Sequence, residues 1–238
     1  MLKKLLLPCL FAWLFAGTAI AQHRYYKNPD STIVKQFKDS LNRTVLLAAD
    51  SSGRLLSQFN YVLGFYPKML VGSIEVEFRN SIAVAKVKPQ FSSIFKAPKD
   101  RVYKITFSRS TESTLDSVLI HKLGYNAQLG LIAMQVSHIE DFSTGGLFNF
   151  LGWYIKRLSR RARNRMDADA ELKTLEVGLG YQLLALNREN AEKLKIENWQ
   201  NTRGYASYVK YTRNRAMKPD MVANFISDLP IYITQQYK

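Results

Sequence analysis

Few residues in this 238-residue chain can do chemistry, and their types narrow the possible reactions at once. The single cysteine, Cys9, lies in an apolar run near the N-terminus, so neither a thiol nucleophile nor a thiolate zinc site is expected in the remainder. A metal would have to be held by imidazole and carboxylate, and the histidines are His23, His121 and His138. His138 closes the run Met134-Gln135-Val136-Ser137-His138. Further on, Asp167 and Glu171 are four apart and share one helix face, with Asp169 between them. His138, one of these acids and His121 could supply three ligands, although nothing in their spacing requires convergence. A lone histidine on an apolar helix is more often a packed, hydrogen-bonded residue than a ligand. Acids at a helix start are favourable against the helix dipole whether or not they bind anything. Ser93-Ile94-Phe95-Lys96 matches Ser-x-x-Lys, but the Lys-Thr-Gly partner of penicillin-recognising enzymes is missing. There is no Gly-x-Ser-x-Gly elbow and no phosphate-binding loop.

The elements that must position these residues follow from periodicity. Asp30-Ser31 offers N-cap chemistry for a short helix over 32–41. From about residue 63 to 108 the pattern is that of strands: 73–78 alternates with period two, 83–88 follows an Asn80-Ser81 turn, and 101–107 alternates again after Pro98-Lys99-Asp100. A small, mostly antiparallel sheet is expected. Beyond residue 113 the period becomes helical. A helix over 126–142 carries Leu129, Ile132, Val136 and Ile139 as one apolar stripe and breaks at residues 143–146. A second helical stretch covers about 147–165. A third starts near Asp167 with Leu172, Leu175, Leu179 and Leu183 on one face, and a terminal helix is expected around 219–226.

The context of the His138 helix carries a resemblance. The window running from Gly130 through Met134-Gln135-Val136-Ser137-His138 to Phe142 is preceded by Leu123-Gly124-Tyr125-Asn126-Ala127-Gln128-Leu129. It is followed by Glu176-Val177-Gly178-Leu179-Gly180-Tyr181-Gln182-Leu183-Leu184 and later by Arg215-Ala216-Met217-Lys218-Pro219. Together these segments span about half the chain. They resemble a family of bacterial secreted and envelope proteins related to the gluzincin-like zinc metallopeptidases, whose helix carries His-Glu-x-x-His. In an intact member, two histidines one turn apart bind zinc and the glutamate acts as general base on the bound water. Here Met134 stands at the first ligand position and Gln135 at the base. A thioether is too soft and weak for such a site, and an amide accepts no proton. The resemblance places Asp167 at the third ligand, Asp169 one small alignment shift away, and Glu171 at a supporting acid. It therefore implies a metallopeptidase-like core with no catalytic residue and no cofactor; zinc enters only if the alternative, a metal-dependent hydrolase with rearranged ligands, holds.

Two features bear on where the protein works. Lys3 and Lys4, the apolar stretch 5–16 and Ala19-Ile20-Ala21 have the order of a cleavable signal peptide over residues 1–21. The expectation is export to the periplasm or cell envelope, with residues 22–238 as a single α+β domain. Losing two lysines takes the net charge from +15 to +13, which favours anionic partners; export argues against nucleic acid. No acid lies between Asp141 and Asp167, while Lys156, Arg157, Arg160, Arg161, Arg163 and Arg165 crowd the second half of that stretch. A helix there would set Leu147, Phe150, Leu151, Tyr154 and Leu158 opposite the cations, with Trp153 among them. That is the profile of a helix lying on an anionic membrane surface, although an apolar face packed on the domain core gives the same pattern. The expected role is non-catalytic: a binding or scaffolding protein for a peptide or protein partner, peripheral to a membrane.

Overall fold

A computed structural model describes residues 26–36, 43–47, 53–69, 71–111, 114–143, 152, 159–196 and 217–233, without the side chains of 160, 161, 163 and 164. The first element, α1 (Ser31–Gln36), begins as its sequence requires: Asp30 Oδ1 accepts the backbone N–H groups of Thr32 and Ile33, both at 2.8 Å. Strand β1 (Thr44–Leu47) and helix α2 (Gly53–Leu63) follow, then β2 (Ser73–Arg79), β3 (Ala85–Pro89) and β4 (Val102–Ser108).

The sheet order is β1-β2-β4-β3, with β1 and β2 parallel, β2 and β4 parallel, and only β3 and β4 antiparallel. This corrects the expected mostly antiparallel sheet to a mixed one. The reason is the crossover through α2: parallel neighbours need a connection long enough to return the chain to the same end, and a helix supplies it. The turn after β2 does not close a hairpin, because β4 inserts between β2 and β3. As the central strand, β4 is covered by Tyr103, Ile105 and Phe107 on one face, all fully buried. Phe107 packs on Phe59 of α2, and Phe78 of β2 lies beside it at 5.9 Å between ring centroids. On the other face Glu77 accepts the Thr106 hydroxyl at 2.8 Å and Lys104 sits 3.5 Å from both Glu75 and Glu77.

Arg43 fixes the entrance to β1. Its buried guanidinium donates to the carbonyls of Leu63, Tyr66 and Met69 at and beyond the C-terminal end of α2, where a cation also meets the negative end of the helix dipole.

The long helix α3 (Tyr125–Ser143) lies under the same sheet face, with Phe142 stacked on Tyr103 at 6.1 Å. It is flanked by α4 (Arg160–Glu176) and α5 (Gly180–Lys193). The expected third helix from Asp167 through Leu183 is two helices. Gly178 has φ of 101°, a left-handed conformation that favours glycine, and closes α4: its N–H reaches the Leu175 carbonyl and that of Leu179 the Thr174 carbonyl. Leu175, Leu179 and Leu183 are all buried, so the apolar spacing runs straight across the break. Gly130 marks the closest approach of α3 and α5: a Cβ there would lie 2.3 Å from the Gln182 carbonyl oxygen. Helices α6 (Pro219–Asp228) and α7 (Pro230–Ile233) end the described chain, and the Tyr232 hydroxyl bridges the α4–α5 junction by donating to Leu175 and accepting from Gly180 N at 2.7 Å. No helix among the described residues is long and apolar enough to cross a membrane.

Candidate functional site

The expected stripe on α3, Leu129, Ile132, Val136 and Ile139, is wholly buried, which fixes the rotation of the helix and so of its polar positions. Met134 is part of the core at 3% exposure and Gln135 is buried. His138, one turn beyond Met134, is partly open. Its Nε2 lies 3.4 Å from Asp167 Oδ1 on α4, the side chains being 12% and 18% exposed. Two atoms bound tetrahedrally to zinc at about 2.0–2.1 Å would be separated by roughly the same distance. The donor set nevertheless does not fit zinc. His138 and Asp167 converge, but Met134, which the resemblance places at the first ligand position, offers only a thioether, and no three of His, Cys, Asp and Glu group together among the described residues.

The other acids have different neighbours. Asp169 is exposed and raises the charge cost at Asp141, whose carboxyl is pushed upward mainly by burial and held back by Lys173. Lys173 Nζ also lies 3.2 Å from Glu140 Oε2, a charge contact without hydrogen-bond geometry. Glu171 turns into the protein: Oε2 accepts the Met217 N–H at 2.7 Å while Asn187 Nδ2 donates to the Met217 carbonyl at 2.9 Å. Burial raises the Glu171 carboxyl to about 8, with the Asp167 charge adding to the rise. Its supporting part is thus to hold the backbone ahead of α6. His121 is exposed, beside Asp116 in the short turn just before α3, and among the described residues no contact with His138 or Asp167 supports the His121 ligand route.

Ser93, the apparent nucleophile of Ser-x-x-Lys, is 1% exposed and fully used: its hydroxyl donates toward the Gln90 and Val102 carbonyls and accepts Val102 N–H at 2.9 Å. Lys96 is exposed, and the motif is a backbone staple.

Sequence reasoning missed a buried hydroxyl chain behind the His138–Asp167 pair. Tyr66 Oη contacts Ser137 Oγ at 2.7 Å, Ser137 Oγ contacts Thr174 Oγ1 at 2.9 Å, and Thr174 donates to the Ala170 carbonyl. Donation from Tyr66 through Ser137 and Thr174 satisfies all three groups in one direction. Ser137 lies inside the Met134–His138 run that the sequence singles out, whereas nothing in the sequence points to Tyr66.

The basic segment differs from the continuous helix expected over 147–165. Ser159 is extended (φ −85°, ψ 130°) and its hydroxyl caps α4 at Ala162 N, so a helix starts anew at Arg160 and none runs unbroken through 147–165. Trp153, Lys156 and Arg157 lie outside the described residues, as do the side chains of Arg160, Arg161 and Arg163; Arg165 is exposed. Residues 1–21 are likewise outside.

Compared with protein-family models, curated proteins and solved structures, the chain has no match in any of the three.

Proposed function

We propose that this chain is an exported, non-catalytic relative of the zinc metallopeptidases it resembles, a binding module at the cell envelope that holds a peptide or protein partner without cutting it. The observation that carries the reading is the pairing of His138 with Asp167 at 3.4 Å on a helix whose neighbouring positions are Met134 and Gln135. Of the three acids that the resemblance brings into question, Asp167, Asp169 and Glu171, Asp167 is the one that pairs with His138, which supports the reading. What this leaves is two of three ligands and no general base. The pair keeps a polar, partly open spot suited to hydrogen bonding, with Glu140, Asp141 and Lys173 along the same two helices.

A metal-dependent hydrolase with rearranged ligands is the second reading, favoured only by the ligand-like spacing of the pair. Metal analysis of the purified protein after equilibration with zinc separates the two. Far less than one zinc per chain is expected. Stoichiometric zinc that disappears in His138→Ala would overturn the non-catalytic reading.

A further inference from the structure

The segment between β3 and β4 buries what a loop ordinarily exposes and exposes what it ordinarily buries. Phe91 is 77% exposed and Phe95 74%, whereas Ile94 between them is 4% exposed, Ser93 1% and Arg101 3%. Two phenylalanines open to water on one short loop are a standing cost unless something apolar covers them.

The exposure is built in. Phe91–Ser93 is a single 3₁₀ turn, with Ser93 N–H on the Gln90 carbonyl, Ile94 N–H on Phe91 and Lys96 N–H on Ser93. The Ser93 hydroxyl ties the turn to Val102 at the start of the central strand. Arg101 Nε donates to the Lys96 carbonyl at 3.1 Å, and Gln90 N–H closes the base on Val102 at 2.8 Å. With Ile94 and Ser93 anchored beneath, the rings on either side have only the outward direction left. The backbone N–H groups of Gln90, Ser93, Ile94, Lys96 and Asp100 are bonded within the protein, which lowers the number that a low-dielectric layer would strand.

The charges around the rings point to the occupant. Lys88 at the edge of β3, Lys96 and Lys99 are all exposed, and Asp100 is the one acid in residues 80–101. Exposed aromatic side chains on a segment rich in exposed lysines match an interface in which rings enter the acyl boundary and cations meet anionic headgroups. A protein pocket for the same rings would not need the neighbouring lysines.

We infer that residues 90–100 form a rigid docking wedge that inserts Phe91 and Phe95 into an anionic lipid surface, with Lys88, Lys96 and Lys99 on the headgroups. This site is separate in sequence from the cationic stretch 156–165, and it rests on the proposed envelope location but not on the absence of catalysis.

The test is co-sedimentation of the full chain with phosphatidylcholine vesicles, with and without phosphatidylglycerol. The chain is expected to bind the anionic vesicles, and Phe91→Ala/Phe95→Ala to weaken that binding roughly tenfold or more, with an unchanged melting curve because neither ring is part of the core. Lys88→Glu/Lys96→Glu should weaken it too and flatten its salt dependence. Unaltered binding by the double phenylalanine variant would overturn the wedge while leaving an envelope role intact. A wild-type chain that ignores anionic vesicles would overturn the wedge and the lipid contact together. Loss of self-association in the phenylalanine variant, without any vesicle effect, would assign the rings to a second copy of the chain and also overturn it. Zinc content, measured separately, bears on the non-catalytic reading alone.

Discussion

Glu171 and Asn187 approach Met217 from two helices and hold its N–H and its C=O respectively, yet each keeps one buried side-chain oxygen, Oε1 and Oδ1, without a partner. The two side chains are close enough to interact. Burial raises the Glu171 carboxyl to about 8 against the opposing pull of the Asn187 side chain, so at neutral pH it carries a proton and is not a second buried charge. The folded-state value lies above the ordinary 4.5, so between those limits the folded chain holds a proton that the unfolded chain has released. Stability is therefore full below pH 4.5, falls as pH rises toward 8, and levels off above it, a loss on the order of a few kcal/mol. Glu171→Gln, neutral throughout, should lose that decline. Urea unfolding at pH 5 and pH 9 should find the variant near wild type at the first and more stable at the second. An identical decline in both proteins would place the titration on another group.

On the proposed reading, supplying the two groups that the intact motif would carry should create metal binding. Met134→His with Gln135→Glu adds a histidine one turn before His138 and a carboxylate beside it, and Asp167→Glu lengthens the third arm. Calorimetric titration should show zinc binding in this variant and little in wild type, with a matching rise in melting temperature. If the variant gains no zinc affinity, Met134 does not stand at a ligand position.

Gly130→Ala tests how tightly α3 is seated. The added methyl would lie 2.3 Å from a backbone carbonyl oxygen of α5, which no rotamer change can relieve. The helices must separate, and a destabilisation of about 1–3 kcal/mol is expected from thermal or denaturant melting. A neutral result would mean that α5 moves freely relative to α3.

Ser137→Ala should cost only about 1 kcal/mol despite removing the middle of a buried hydroxyl chain. Tyr66 Oη is also within 3.2 Å of the Ala133 carbonyl, and Thr174 already donates to Ala170, so neither neighbour is stranded. Tyr66→Phe combined with Ser137→Ala should then cost less than the sum of the single losses, readable as a double-mutant cycle.

The sequence carried the elements better than their arrangement. The stripe on α3 and the alternation in β2 and β4 are visible because one face of each is buried, and Asp30 and Pro219 announce helix starts. Helix α2 was missed although Leu55, Phe59 and Val62 are spaced four and three apart; without it, parallel pairing could not be foreseen. The Gly178 break was masked because Leu175, Leu179 and Leu183 keep a four-residue spacing across it. For the site, the sequence offered His138 with Asp167, Asp169 and Glu171 as candidates, and spacing alone did not single out the His138–Asp167 pair. The turn of Glu171 toward Met217 was not legible, since it depends on where a segment some 46 residues later comes to rest.

The insertion of β4 between β2 and β3 also sets an order in time. The strand that bridges the other two is the last of the four to be synthesised, so until residues 102–108 emerge only the β1–β2 pair can be made and β3 has nothing to pair with. The sheet cannot grow hairpin by hairpin; it closes in one late step, when the central strand arrives with ladders on both sides. Non-local closure of this kind slows folding, so a lengthening chain stays without its sheet for longer than a simple meander would.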